Sequence, residues 1–377
     1  MRINSLLRVF ILLSLISGLC TAELKAQTHA SWKGSPSLQL EGYADLFYAY
    51  DFNMPVGDNR QAFLFNHNRH QKISLNQGML KLGLQHPRYR ANLALHEGTY
   101  PRDNYAEEPD FLKNLFEANL GIALDKNGLW WIDTGVFGSH IGFESALSMD
   151  NVTLTRSILA ENSPYYLSGA KISFEPNNKW LFSFSLLNGW QKIKPTNGNI
   201  LQSFGSQVNY KPSEKTTFNW STFVGSNTTD NLMRYFNNLY TQIQLGRKFN
   251  LTGGLDAGFQ QRERQSHEMD FWFSNVLILQ YSFSSYLKTA WRAEYYQDRK
   301  SVLIPRLNNN GFSAAGASWN IDYAPHPQLV FRLESRWLHS KDAIFQKGET
   351  LRRDNFVVAA SVAGRFSKAI LKSNLTH

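Results

Sequence analysis

The chain has 377 residues, a formal charge of +9, 14% aromatic and 18% charged residues, and one cysteine. A single cysteine excludes a disulfide framework, and scattered Lys and Arg exclude the clustered basic patch of a nucleic-acid binder. Beyond the first 27 residues no window approaches the roughly 18 apolar residues of a membrane helix, and many aromatics with few charges point to β-structure with aromatic girdles.

Residues 1–27 read as a secretory signal peptide. Arg2 and Arg8 precede the apolar run Phe10–Leu19, and Cys20-Thr21-Ala22 gives a small-residue exit, with cleavage expected after Ala22 or within the next few residues, up to Gln27. A lipoprotein signal would need a small residue before Cys20, and Leu19 stands there instead. Loss of this segment removes the cysteine together with Arg2, Arg8, Lys25 and Glu23, leaving a mature charge of about +7.

Leu38–Phe52 is the first predicted strand. Leu38, Leu40, Ala44, Leu46, Tyr48, Tyr50 and Phe52 fall on one face, and Gln39, Glu41, Asp45 and Asp51 on the other, because successive side chains alternate. After loop Asn53–Gln71, Lys72–Gln85 returns with an apolar phase that switches between Leu75 and Leu80, which predicts a β-bulge near Gly78. A turn at His86-Pro87-Arg88 leads to Tyr89–Gly98, with Arg90, Asn92 and His96 on its polar face. Loop Thr99–Asn114, strand Leu115–Leu124, a turn ending at Gly128, and strand Leu129–Phe137 come next, before the longest loop, Gly138–Tyr166. Further strands are predicted at Leu167–Glu175, Lys179–Trp190, Ser203–Tyr210, Thr216–Gly225, Asn238–Phe249, Leu251–Arg264, Met269–Phe283, Tyr286–Asp298, Phe312–Tyr323, Gln328–Ser340 and Asn355–Phe366.

Short turns and long polar loops alternate strictly between these strands. Lipid offers the backbone no hydrogen-bond partners, so a sheet that spans a bilayer must close on itself. Tight turns belong on the periplasmic side and long loops outside. The expected fold is therefore all-β: a transmembrane antiparallel β-barrel of about 16 strands, one domain over residues 28–366, with residues 367–377 as a C-terminal extension.

Two strands fix the facing. Lys288, Arg292 and Glu294 alternate with Trp291 and Tyr295, and Arg332, Glu334 and Arg336 alternate with Leu333 and Trp337. Arg or Lys on the lipid face costs about 2–4 kcal/mol at midplane, so the charged set should point inward and the aromatic and Leu set toward lipid. With Asp45 and Glu117 these six are the expected pore-lining residues, in a barrel too wide for side chains alone to fill.

Loop Gly138–Tyr166 carries Ile141, Phe143, Leu147, Leu154, Ile158 and Leu159, too apolar for a solvated loop. It is expected to fold inward as a constriction with His140, Glu144, Arg156 and Glu161 as polar lining; the alternative is a lid packed on the rim. His140, Glu144 and Ser145 lack the orienting third group that nucleophilic catalysis needs, so no enzymatic role and no cofactor is expected. His67 and His70 read as solvated loop residues rather than metal ligands. Glu107, Glu108 and Asp110 read as a solvated acidic face, with cation bridges to lipopolysaccharide as the alternative. Trp130, Trp131, Trp180, Trp190, Tyr165 and Tyr166 read as girdle aromatics.

Between Tyr43 and Trp190 stand the strings YADLFYAYDFN (43–53), NHNRH (66–70), NLALHEGTYPRDNY (92–105), LFEANLG (115–121), DTGVFGSHIGFES (133–145), LTRSILAENSPYYLSGAK (154–171) and LNGW (187–190). In these the chain resembles the Bacteroidetes outer-membrane porins grouped as the β-barrel porin-2, or OmpL-like, family. The resemblance implies a porin barrel in a Gram-negative outer membrane and names no solute. Barrels of this kind end on an aromatic residue; Phe366 would be it, but Ser367–His377 runs on past it.

The expected function is passive diffusion of small hydrophilic solutes, with at most a mild anion preference. An occluded structural or adhesive barrel is the alternative, and an outer-membrane lipid hydrolase a more distant one. Expected partners are outer-membrane lipid, lipopolysaccharide and further copies of the chain in a homotrimer.

Overall fold

A computed structural model describes residues 34–195, 203–226, 231–264, 266–305 and 310–371; the expected signal peptide lies outside them. From Ser35 onward the chain forms a closed antiparallel barrel. Its strands are β1 (Ser37–Asp51), β2 (Ser74–Gln85), β3 (Tyr89–Glu97), β4 (Leu115–Ala123), β5 (Trp130–Gly138), β6 (Tyr166–Asn177), β7 (Trp180–Leu187), β8 (Ser203–Ser213), β9 (Thr216–Gly225), β10 (Arg234–Leu245), β11 (Phe249–Gln261), β12 (Met269–Ser282), β13 (Leu287–Asp298), β14 (Phe312–His326) and β15 (Leu329–His339). Outside the wall, β16 (Phe345–Lys347) and β17 (Thr350–Arg352) pair with each other in the last long loop, and β18 (Asp354–Leu371) closes the ring against β1 and β15. Sixteen strands thus make the wall, as the alternation predicts.

The last strand continues past Phe366. Ser367, Lys368, Ala369 and Leu371 pair with Glu41, Leu40, Gln39 and Leu38, so the expected extension begins as barrel wall; residues 372–377 lie outside the described residues. The predicted bulge sits two residues earlier than expected. Asp45 pairs with Gln77 and Leu46 with Leu75, which leaves Asn76 as the extra residue. Asn76 and Gln77 are both buried, and this double inward step produces the phase switch in the sequence.

Facing follows the period of two. On β13, Trp291 is 46% exposed while Arg292 is 2% exposed, and on β15 Leu333 and Trp337 are exposed while Arg332, Glu334 and Arg336 are buried. Tyr295 shares the outer face, its ring against Phe273 and its hydroxyl 3.0 Å from Ser313. Trp130 and Trp180 lie outside, stacked on Phe174 and Tyr210.

The other expected girdle residues fall on the inner side. Trp131 lies under Arg90, Trp190 is buried against Phe223 and Phe236, and Tyr166 stacks on Tyr105. Tyr165 sits under Arg156. Parity explains Trp131, which is one residue out of phase with Trp130. The others belong to loops that turn into the barrel.

The largest apolar cluster lies within the barrel on the long-loop side. It joins Phe63 and Leu64 of the first long loop, Ile141 and Ile158 of the longest one, and Ile304, Ile344 and Phe345 of the last two, with strand-end residues such as Trp272 and Phe312. The long-loop half of the lumen is therefore packed by inward-folded loops.

Candidate functional site: the lumen

The loop between β5 and β6 crosses the lumen and is held on the far wall. Its first anchor is close approach to the backbone. A Cβ at Gly205 would stand 2.5 Å from the His140 ring, and one at Gly254 2.7 Å from Phe143, so only glycine leaves room there. The His140 imidazole donates through Nε2–H to the Thr222 carbonyl at 2.9 Å, and Ser221 Oγ donates to the His140 carbonyl at 2.6 Å. Burial lowers the His140 pKa to about 4 against that hydrogen bond, so the ring is neutral.

The second anchor is ionic. Arg292 pairs with Glu334 at 2.8 Å and lies 3.3 Å from Glu294, which also pairs with Arg336 at 2.7 Å. Arg292, Glu294 and Glu334 hold the loop backbone, and Arg336 braces Glu294. Arg292 donates to the Thr155 carbonyl at 2.6 Å and to Thr153 Oγ1 at 2.9 Å. Glu334 accepts from the Thr155 N–H at 2.6 Å, Glu294 from the Ile158 N–H at 2.7 Å, and Asn320 from the Leu154 N–H at 2.9 Å. Arg332, paired with Asp322 at 2.8 Å, donates to the Asn151 carbonyl at 3.0 Å, and the Tyr43 hydroxyl accepts from the Ser148 N–H at 2.9 Å. Loop carbonyls and N–H groups that would otherwise be orphaned in a packed interior are thereby satisfied.

This corrects the expected roles of two residue sets. Arg292, Glu294, Arg332, Glu334 and Arg336 do point inward, yet they are buried beneath the loop and do not line free water. Within the loop the expected constriction residues are likewise buried or turned to protein partners. Arg156 is 4% exposed, donates to the Ala160 carbonyl at 2.7 Å and lies over the Tyr165 ring. Glu144 accepts from the Ser157 N–H at 3.1 Å, and Glu161 from the N–H groups of Phe65 and Asn66 at 3.1 Å each. Burial raises the pKa of both carboxyls; Arg292 and Arg156 oppose it at Glu144, and Arg156 at Glu161. The loop does fold inward, but its polar side chains bind loop and wall rather than solvent.

The first long loop folds in beside it. His67 and His70, expected to be solvated, are buried: His67 meets Asp45 at 2.9 Å, and His70 Nδ1 accepts from the Asp51 N–H at 3.0 Å. Asp45 is therefore a loop anchor as well. Among the acidic trio, Glu108 is buried and accepts from the Tyr166 hydroxyl at 3.0 Å, while Asp110 pairs with Lys113 at 3.0 Å and Glu107 with Lys192. The signal for the first loop was readable in Phe63-Leu64-Phe65, three apolar residues in a row inside a polar segment.

An open cavity lies against β2–β8, between the start of the longest loop and the short turns. This cavity of about 520 Å³ is lined by charged and polar side chains, among them Lys81, Arg90, Glu117, Asp133, Lys171 and Ser173. Lys81 pairs with Glu117 at 2.7 Å, and Arg90 grips Asp133 through two nitrogens. Of the expected lining residues, Glu117 is the one placed here. Lys288 is half-buried near the short-turn end of β13. Lys81 was not among the expected lining residues, although past the predicted phase switch it falls on the face opposite Leu80 and Leu82.

The family model described as "Putative beta-barrel porin-2, OmpL-like" matches residues 37–366. The chain belongs to this family. It is an outer-membrane porin of a Gram-negative cell. No curated protein matches its sequence. Among solved structures, the anion-selective porin from Comamonas acidovorans aligns with a TM-score of 0.61 at 13% identity, covering 88% of this chain and 100% of that one. OmpF of Salmonella typhi, in complex with daunomycin, aligns with a TM-score of 0.59 at 12% identity, over 87% of this chain and 97% of that one. OmpT of Vibrio cholerae aligns with a TM-score of 0.56 at 6% identity, over 89% and 99%. At such identities the likeness is one of fold.

Proposed function

We propose that this porin passes small hydrophilic solutes by passive diffusion along the β2–β8 side of its lumen. The observation that carries this reading is the polar cavity beside the crossing loop. A sixteen-strand wall is too wide to be filled by its own side chains, and the loop's anchors draw it toward the opposite wall. The lining is ionic, amide and hydroxyl in character, which suits the passage of hydrophilic solutes.

Bilayer recording tests the reading directly. Stepwise open conductance in a planar bilayer is the expected result, and its absence at all voltages overturns it. The packed apolar cluster under the long loops favours a second reading, an occluded barrel with a structural or adhesive role. That reading predicts no conductance until the loops are loosened. The Bacteroidetes source, the cleaved signal at residues 1–27, contact with lipopolysaccharide and assembly as a homotrimer belong to the same proposal. Conductance steps that group in threes would support the trimer.

A further inference from the structure

The cavity on the β2–β8 wall holds three cations and three carboxylates, and they are not equivalent. Lys81 and Arg90 are each neutralised by a direct partner, Glu117 and Asp133. Lys171 forms no ion pair among the described residues; its ammonium lies 5.0 Å from the centre of the Phe137 ring. The remaining carboxylate, Glu175, is one further inward-facing step beyond Ser173, exposed at the short-turn end of β6. Next to Lys171 on the same inner face, Ser173 pairs in register with Ser183 of β7. Both serines line the cavity; their hydroxyl oxygens are buried without a hydrogen-bond partner in the protein, and Ser173 is only 4% exposed. Buried polar groups are ordinarily satisfied. Asp133 stands opposite Lys171 in register, but both of its carboxylate oxygens are taken by Arg90. An ammonium without a direct partner beside two unused hydroxyls, in a cavity of about 520 Å³, is an arrangement that an anionic oxygen ligand would complete.

We infer that Lys171, Ser173 and Ser183 form a binding subsite for a small oxyanion, a carboxylate or phosphate group, on the solute path. The ammonium supplies charge and the two hydroxyls donate to the anion's oxygens, while the Phe137 ring keeps the lysine in place. Glu175 works against the site by drawing on the same ammonium across water. The inference deepens the channel reading and rests on it for its place in transport, but binding can be measured without current.

Two measurements separate the possibilities. In micelles of a phosphate-free detergent, the 31P line of inorganic phosphate should broaden with native protein. In bilayers, added phosphate should reduce the chloride current in a saturable way. Lys171→Gln should weaken both effects by about tenfold, the loss expected for one charge-assisted hydrogen bond, and Lys171→Arg should retain them. Glu175→Gln should strengthen both, a gain that misfolding cannot imitate. Acetate should compete with phosphate in both measurements. Broadening and block that are unchanged in Lys171→Gln and Glu175→Gln would overturn the subsite, as would their absence in the native protein. Phosphate binding by a barrel that shows no conductance would sustain the site while refuting the channel reading.

Discussion

Two walls of one barrel use the same residue types to opposite ends. On β13 and β15 the inward Arg and Glu side chains are buried, paired and packed beneath the loop; on β2–β6 the inward Lys, Arg, Asp and Glu face an open cavity of about 520 Å³. The difference lies in what approaches them. Glycines at 205 and 254 let the crossing loop press on one arc of the wall, and its carbonyls and N–H groups then saturate the charges opposite. An inward charge therefore states which face is not lipid, and it does not state whether that charge sees solute.

The sharpest way to break the contrast is to unpair the buried cluster. Glu294→Ala takes the carboxylate partner from Arg336 and the Ile158 N–H and leaves Arg292 with Glu334 alone, and should cost about 3–5 kcal/mol. Protease cutting within residues 138–166 and a larger, noisier conductance are the expected readouts. Glu117→Ala, which removes an exposed-wall partner, should change stability by less than about 1 kcal/mol and show itself in the reversal potential. Equal effects of the two substitutions would erase the distinction between the walls.

Next in size is the close approach. Gly205→Ala places a Cβ against the His140 ring and should cost about 1–3 kcal/mol as overpacking, read as a lower thermal midpoint. The same change at Gly246, where a Cβ would meet nothing within 4 Å, brings only the strain of its φ of +69°.

His140 also gives the packed side a pH response. The unfolded imidazole takes a proton near 6.5 and the folded one resists until about 4. Between those values the unfolded state binds more protons, so stability falls as pH falls, by up to about 1.4 kcal/mol per unit. Glu144 and Glu161 run the other way: their folded pKa values are raised, so acidification through those values adds stability. His140→Asn keeps a donor for Thr222 and removes the titration. Unfolding titrations of the two proteins from pH 7 to 4 should diverge, with the native protein losing more.

The smallest expected effect sharpens the register alone. Glu175→Cys should react with a water-soluble maleimide and Phe174→Cys should not. The reverse would mean a one-residue slip, which inverts every face.

The wall was legible in the sequence because lipid imposes a rule with one variable, parity. Strand number and the facing of Trp291 against Arg292 follow from it. Parity slips at Asn76, two residues from the expected bulge, and at Trp131, one step from a true girdle residue. The interior was less legible, since loop side chains obey no period. Ile141, Phe143 and Ile158 announced burial, but nothing in the spacing said that Thr155 would meet Glu334, 179 residues away.

That separation has a consequence for assembly. The crossing loop leaves the ribosome before any of the side chains that will hold it: Asn320, Glu334 and Glu294 follow it by 166, 179 and 136 residues. The ring itself waits longer, because its seam joins the first strand to the last, with Asp51 opposite Val357 and Leu38 opposite Leu371. Contacts this distant in sequence are slow to form. Through most of its maturation the chain is a sheet with two open edges and a loop without a seat, and the C-terminal strand completes both the wall and the fitting of what lies inside it.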